Sequence, residues 1–127
     1  MQSEEKKRIM IVENIEQMNS LYRHIFPPHI LFHIFDNPLN ALKAISCRDY
    51  ALIICNNSLP FLSGMEFAQK CYSLNPRLGV VFYSISREIY NIEKYPNHNI
   101  KEVFDIFDLN LSGLKKYILT KYLGHDN

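Results

Sequence analysis

The run Ala51-Leu-Ile-Ile-Cys55 is unbroken apolar chain that empties into a polar turn and then into residues at helical spacing from Gly64 onward. A strand with crossover helices on both sides of its sheet reads this way, because neither of its faces meets water. This one stretch therefore predicts a central parallel strand. Ligand and catalytic groups of an open parallel sheet collect at the carboxyl ends of such strands, which puts Asn56 where chemistry is expected. An amide is a weak nucleophile and brings no charge to a metal ion. Asn57 follows it, so a slip of one residue in register still supplies no carboxylate.

The rest of the chain repeats the pattern. Arg8 to Val12 reads as a first strand that delivers Glu13 and Asn14 to its carboxyl end. Ile15, Met18, Tyr22 and Ile25 recur at helical spacing until Pro27-Pro28 forbids continuation. His29 to Phe35 reads as the second strand. Asp36 or Asn37 can cap the next helix, with Pro38 in its first turn and Leu39, Leu42 and Ile45 as its buried stripe, and Cys47 to Tyr50 connects it to the central strand. After Gly64, Met65, Ala68, Cys71 and Tyr72 share a helical face that Asn75-Pro76 closes. Gly79 to Tyr83 is a fourth strand, followed by Ser84-Ile85-Ser86 and a short helix around Ile89, Tyr90 and Ile92. Pro96 to Asn99 breaks the chain, Val103 to Phe107 reads as the fifth strand, and Leu111, Leu114, Ile118 and Tyr122 mark a final amphipathic helix that Gly113 weakens slightly.

Strict strand-helix alternation predicts an α/β fold, a doubly wound five-stranded parallel sheet in the order 2-1-3-4-5 with helices on both faces. In that order the switch point lies between the first and third strands, so Glu13, Asn14 and Asn56 share a crevice with Ser84 and Phe107 on its far side. With 127 residues, 47% of them hydrophobic, the chain closes one core and reads as a single domain spanning 1-127, with a core over about 8-123. No apolar segment approaches the ~20 residues that span a bilayer, and the mixed-charge lead into Arg8 is no membrane signal. A formal net charge of +1 argues against a nucleic-acid partner, for which clustered Lys and Arg on one face would be needed. Cys47, Cys55 and Cys71 lack CxxC spacing and lie among apolar residues, so buried thiols in a reducing compartment, the cytoplasm, are expected.

From Arg8 to about Leu123 these residues resemble a response-regulator receiver (CheY-like) domain. The family carries an acidic pair after the first strand, a phosphoacceptor Asp with a following Pro and Gly after the third, Ser or Thr after the fourth, and Lys-Pro after the fifth. Ile-Met-Ile-Val-Glu13-Asn14 matches the first motif, Leu-Ile-Ile-Cys-Asn56 with Leu59-Pro60 and Ser63-Gly64-Met65-Glu66 the second, and Ser84 the third. The fourth fails, since Phe107 falls at the Lys position and Asp108 at the Pro. Phe104 resembles the family's mobile aromatic on the fifth strand.

What the resemblance implies is a degenerate site. Phosphoryl transfer needs an anionic nucleophile, Mg²⁺ held by carboxylates, and a cation on the developing charge. Asn56, Asn14 and Phe107 remove one of each, which leaves Glu13 and Ser84, and no cofactor is expected beyond weakly held Mg²⁺. Simpler readings stand beside these: Glu13 as a helix-start residue complementing the dipole, Ser84 as a cap, and Phe104 and Phe107 as packing. The five histidines have no ligand spacing; His24, His29 and His33 read as partly exposed, and His125 as tail.

Two functions remain. One is a pseudo-receiver of two-component signal transduction, not an enzyme, that binds a protein partner or its own copy without phosphorylation. The other is a switch phosphorylated on a different residue, such as Ser84, Asp105 or Asp108. In the family, output and dimer contacts concentrate on the face of the fourth helix, fifth strand and final helix, where this chain has Tyr90, Tyr95, His98, Ile100 and Tyr117.

Overall fold

A computed structural model of the chain describes residues 8–28, 30–56, 59–84, 95–105 and 111–121, with the side chains of Ser84, Asp105, Leu111 and Lys121 left aside. The elements are β1 (Arg8–Val12), α1 (Glu16–Ile25), β2 (Leu31–Phe35), α2 (Pro38–Cys47), β3 (Leu52–Cys55), α3 (Gly64–Leu74), β4 (Gly79–Ser84), β5 (Ile100–Asp105) and α4 (Leu111–Lys121). The helix expected around Ile89, Tyr90 and Ile92 lies outside the described residues, as do His29, Phe107, Asp108, Tyr122 and His125.

The five strands pair in the order β2-β1-β3-β4-β5. Every pairing is parallel, as the alternation predicts. Successive strand residues point to opposite faces, so the apolar runs are sorted by parity. Ile9, Ile11, Leu52, Ile54, Val81 and Tyr83 turn toward Met18 and Tyr22 of α1 and Leu114 and Ile118 of α4. Met10, Val12, Ile53, Cys55, Val80 and Phe82 turn toward Ala41 and Ile45 of α2 and Phe67, Ala68 and Cys71 of α3. Residues 9–12 and 52–55 are wholly buried, which is why both strands had to be continuous in apolar character. Each such aliphatic side chain contributes about 1.5 to 3 kcal/mol by leaving water.

Local chemistry sets where the helices begin. The Asn37 side chain accepts from the Leu39 N–H at 2.8 Å with Pro38 in the first turn, so Asn37 is the cap of α2. A reciprocal capping box opens α3: Ser63 Oγ accepts from the Glu66 N–H, and Glu66 Oε1 accepts from the Ser63 N–H, both at 3.1 Å.

Four expectations need correcting. Leu39 is 44% exposed and Leu42 only partly buried, because Pro38 and Ala41 meet the core in their place, whereas Ile45 is buried as expected. Tyr50 does lie in the connector between α2 and β3, as expected, and its side chain joins the α2/α3 core. Cys47 closes α2 and is exposed, whereas Cys55 and Cys71 are buried. β5 starts at Ile100, three residues before Val103, with a register irregularity opposite Val80/Val81. β2 likewise starts at Leu31, because Ile30 is still bound in a turn to the Pro27 carbonyl at 3.1 Å. Among the described residues no helix is long and apolar enough to cross a membrane.

Candidate functional site

The strand ladders run one residue past the strand ends. The Glu13 N–H donates to the Phe35 carbonyl at 2.9 Å, and the Asn56 N–H donates to the Val12 carbonyl at 3.1 Å. This fixes Glu13 and Asn56 side by side at the switch point between β1 and β3. Their side chains then bond directly: Asn56 Nδ2 donates to Glu13 Oε2 at 2.8 Å. The same carboxyl oxygen accepts from the Ile15 N–H at 3.2 Å. Ile15, the cap position of α1, has no side-chain cap of its own, so the Glu13 carboxyl serves one of the orphan donors at the start of that helix. The helix-start role is therefore real, although Glu13 is not solvated: it and Asn56 are each 1% exposed.

Burial raises the Glu13 carboxyl above its ordinary value, opposed by the hydrogen bonds from Asn56, Ile15 and Asn14. Its second oxygen, Oε1, is buried with no hydrogen-bond partner among the described residues. Below the pair, the Cys55 thiol donates to the Asn56 carbonyl at 3.2 Å. Asn14, predicted to share the crevice, has an exposed side chain.

The far wall is formed by β4 and β5. Ser84 and Asp105 are opposed in register at the carboxyl ends of these strands. Phe104 is buried and packs edge-on against Tyr117 of α4, with ring centroids 5.7 Å apart. Tyr22 and Tyr83 meet in the same way at 6.2 Å on the same face of the sheet.

The surface residues singled out from the sequence divide between the two sides of the β5 edge. Ile100 packs against the α2/α3 core, while Tyr117 packs against the α1/α4 core. Tyr95 is 47% exposed. His98 is half-buried, and its Nδ1 accepts from the Ile100 N–H at 3.2 Å. Gln69 Nε2 donates to the Pro96 carbonyl at 2.9 Å, which ties this segment to α3.

Two features escaped the sequence. His33 Nδ1 and the Tyr50 hydroxyl are 2.8 Å apart, and burial together with Arg48 and Arg8 lowers the imidazole's affinity for a proton. The periodicity that placed Tyr50 next to an apolar run was the available signal. The other is Phe61, whose φ of 71° lies in the region that favours glycine, and which is 74% exposed. A Leu62 N–H to Pro60 carbonyl bond of 2.8 Å closes a γ-turn around it.

Solved receiver domains share this architecture. The phosphorylated cyanobacterial phytochrome response regulator RcpA superposes with a TM-score of 0.77 at 17% identity, covering 97% of this chain and 98% of its own. The response regulator domain of Thermotoga maritima CheB gives 0.76 at 14% identity over 97% and 100% of the two chains. The receiver domain of the sensor histidine kinase PA1611 from Pseudomonas aeruginosa, solved with magnesium coordinated in its active-site cleft, gives 0.76 at 11% identity over 95% and 100%. No protein-family model and no curated protein matches the chain. The fold is that of response-regulator receiver domains.

That fold implies a Mg²⁺ site, and the residues at the switch point do not fit one. Glu13 supplies a single carboxylate, and the oxygen facing Asn56 already accepts two N–H groups. Asn56 turns its amide nitrogen, a donor, toward the place where metal ligands would converge. Among the described residues no three His, Cys, Asp or Glu side chains come together. Mg²⁺ favours anionic oxygen and sheds its waters reluctantly, so one committed carboxylate is a poor anchor.

Proposed function

We propose that the chain is a single receiver-fold domain of response-regulator signalling that has lost the aspartyl-phosphate switch and acts as a phosphorylation-independent protein-binding module in the cytoplasm. The observation that carries this reading is the 2.8 Å bond from Asn56 to Glu13 between two side chains each 1% exposed. Asn56 sits where the resemblance places the phosphoacceptor, and its amide is neither anionic nor open to a phosphodonor. In-line attack needs a nucleophile with its lone pair directed at phosphorus and a metal beside it. Here the corresponding atoms are engaged with each other. Binding, not catalysis, is what the scaffold retains.

The direct experiment is incubation with acetyl phosphate and Mg²⁺ followed by intact-mass measurement, after a mass check that Asn56 has not deamidated. No adduct is expected. A phosphoryl adduct labile to hydroxylamine would overturn the proposal. An adduct stable to hydroxylamine on Ser84 would favour the alternative switch, for which the register of Ser84 opposite Asp105 is the supporting observation. The partner, a protein or a second copy of the chain, is assigned to the β5 edge and α4 face, where Tyr95 offers an exposed aromatic with a polar tip. Nucleic acid is not assigned as a partner, given a net charge of +1.

A further inference from the structure

Three buried oxygens near the start of α1 have no hydrogen-bond partner among the described residues: Glu13 Oε1, Asn19 Oδ1 and the Tyr22 hydroxyl. Native interiors rarely leave such groups unmatched, because each bare buried group costs about 1 to 3 kcal/mol. One hydrogen bond and the geometry of α1 bring the three toward one place. Asn19 Nδ2 donates to the Glu13 backbone carbonyl at 3.4 Å, so the amide lies over the turn that carries the carboxyl. Asn19 and Tyr22 are one turn apart on α1 and share a face. Helical side chains lean toward the helix N-terminus, which aims the Tyr22 phenol back along α1 toward Glu13. Burial first, and then the Glu13 charge, raise the Tyr22 hydroxyl well above its ordinary value, so the two groups sense each other. No direct bond joins them.

We infer that Glu13 Oε1, Asn19 Oδ1 and the Tyr22 hydroxyl together hold one buried water molecule that ties α1 to the closed Glu13–Asn56 pair. Counting hydrogens selects water. The carboxylate and amide oxygens can only accept, whereas the phenol can donate its one proton. A water that gives its two hydrogens to Glu13 and Asn19 and receives the hydrogen of Tyr22 satisfies all three groups with three bonds, the usual number for an interior water. A metal cation would serve the two acceptors and leave the phenol proton unmatched. The site lies on the α1 side of Glu13, whereas Asn56 bonds the other carboxyl oxygen. The result is a relay from Asn56 through Glu13 and the water to α1.

The test is a high-resolution crystal structure of the unmodified protein grown in rubidium chloride, together with the Tyr22→Phe variant under the same conditions. Solvent density without rubidium anomalous signal, within hydrogen-bond reach of all three oxygens, is expected. In Tyr22→Phe that density should be lost or reduced in occupancy while the Asn56–Glu13 bond persists. Solution NMR gives a second readout, a slowly exchanging Tyr22 hydroxyl proton with magnetisation transfer to water. Anomalous signal at the site would overturn the inference in favour of a cation. A direct Tyr22–Glu13 hydrogen bond with no density between would overturn it as well. Neither result bears on phosphorylation at Asn56, which acetyl phosphate reads separately.

Discussion

The amide at position 56 gives the site its stability, since it donates a proton to the one carboxyl oxygen facing it. Replacing it by a carboxylate would set two acid groups at hydrogen-bond distance, and such a pair cannot ionise together without a large penalty. Asn56→Asp is therefore expected to lose about 1 to 3 kcal/mol at neutral pH and to gain no phosphoryl group from acetyl phosphate. The pair's folded-state affinity for a proton would be raised above that of the unfolded chain. Stability should then be fully present below the ordinary carboxyl range and lost as the pH rises through the raised value, which urea titrations across acid and neutral pH would read. A variant as stable as the parent at neutral pH would refute this. The same sign applies to wild-type Glu13, whose carboxyl burial raises above 4.5. Glu13→Gln keeps an oxygen for Asn56 and Ile15 but removes the ionisation, so the decline of stability above the ordinary carboxyl range should flatten. Sequence placed Glu13 and Asn56 in one crevice because strand ends are legible from apolar runs. It did not reveal their contact or the burial of Glu13, since glutamate is ordinarily a surface residue and only packing from neighbouring elements decides otherwise.

At the scale of elements, the reading succeeded where both sheet faces are covered. Residues 9–12 of β1 and all of β3 are wholly buried, so their apolar runs leave no ambiguity. It was weakest at the margin. β5 is an edge strand whose exposed Lys101 and Glu102 interrupt the apolar pattern, and the charge that protects an open edge also hides the strand's beginning. Helix α2 was found from its Asn-Pro start and Ile45 is buried as expected, yet Leu39 was placed in the stripe where Pro38 belongs, because a leucine looks like core in any hydropathy count. Two substitutions test the local chemistry. Ser63→Ala removes half of the α3 capping box and should cost about 1 kcal/mol in urea unfolding, with the denaturant dependence unchanged. Phe61→Gly should do the opposite. The side chain is mostly solvent-exposed, and relief of a positive φ on a bulky residue gains about 1 kcal/mol. A loss of stability at Phe61→Gly would mean that the ring packs against its surroundings more than its exposure indicates.

For the molecule as a whole, the doubly wound order was recoverable because five strand-helix alternations leave few unknotted arrangements. Surface function was less so: of the residues grouped as one face, Ile100 and Tyr117 belong to cores on opposite sides of the sheet. Tyr95 is the cleaner probe. Tyr95→Glu should weaken partner capture or self-association with little change in melting temperature, whereas changes at the exposed Gln17 or Arg23 of α1 should leave both intact. Binding lost through α1 instead would move the interface to the other side of the molecule. The three cysteines supply a further handle, because they differ so sharply in burial. Cys47 lies on the surface at the end of α2, whereas burial pushes the Cys71 thiol up to about 12 and Cys55 well above its ordinary value. Thiolate, not thiol, attacks a disulfide reagent, so the native chain should consume one equivalent at once and two more only as its interior opens. The unaltered protein thus carries its own stopwatch: the slow phase times the breathing of β3 against α3, and any ligand or partner that grips the fold should lengthen it.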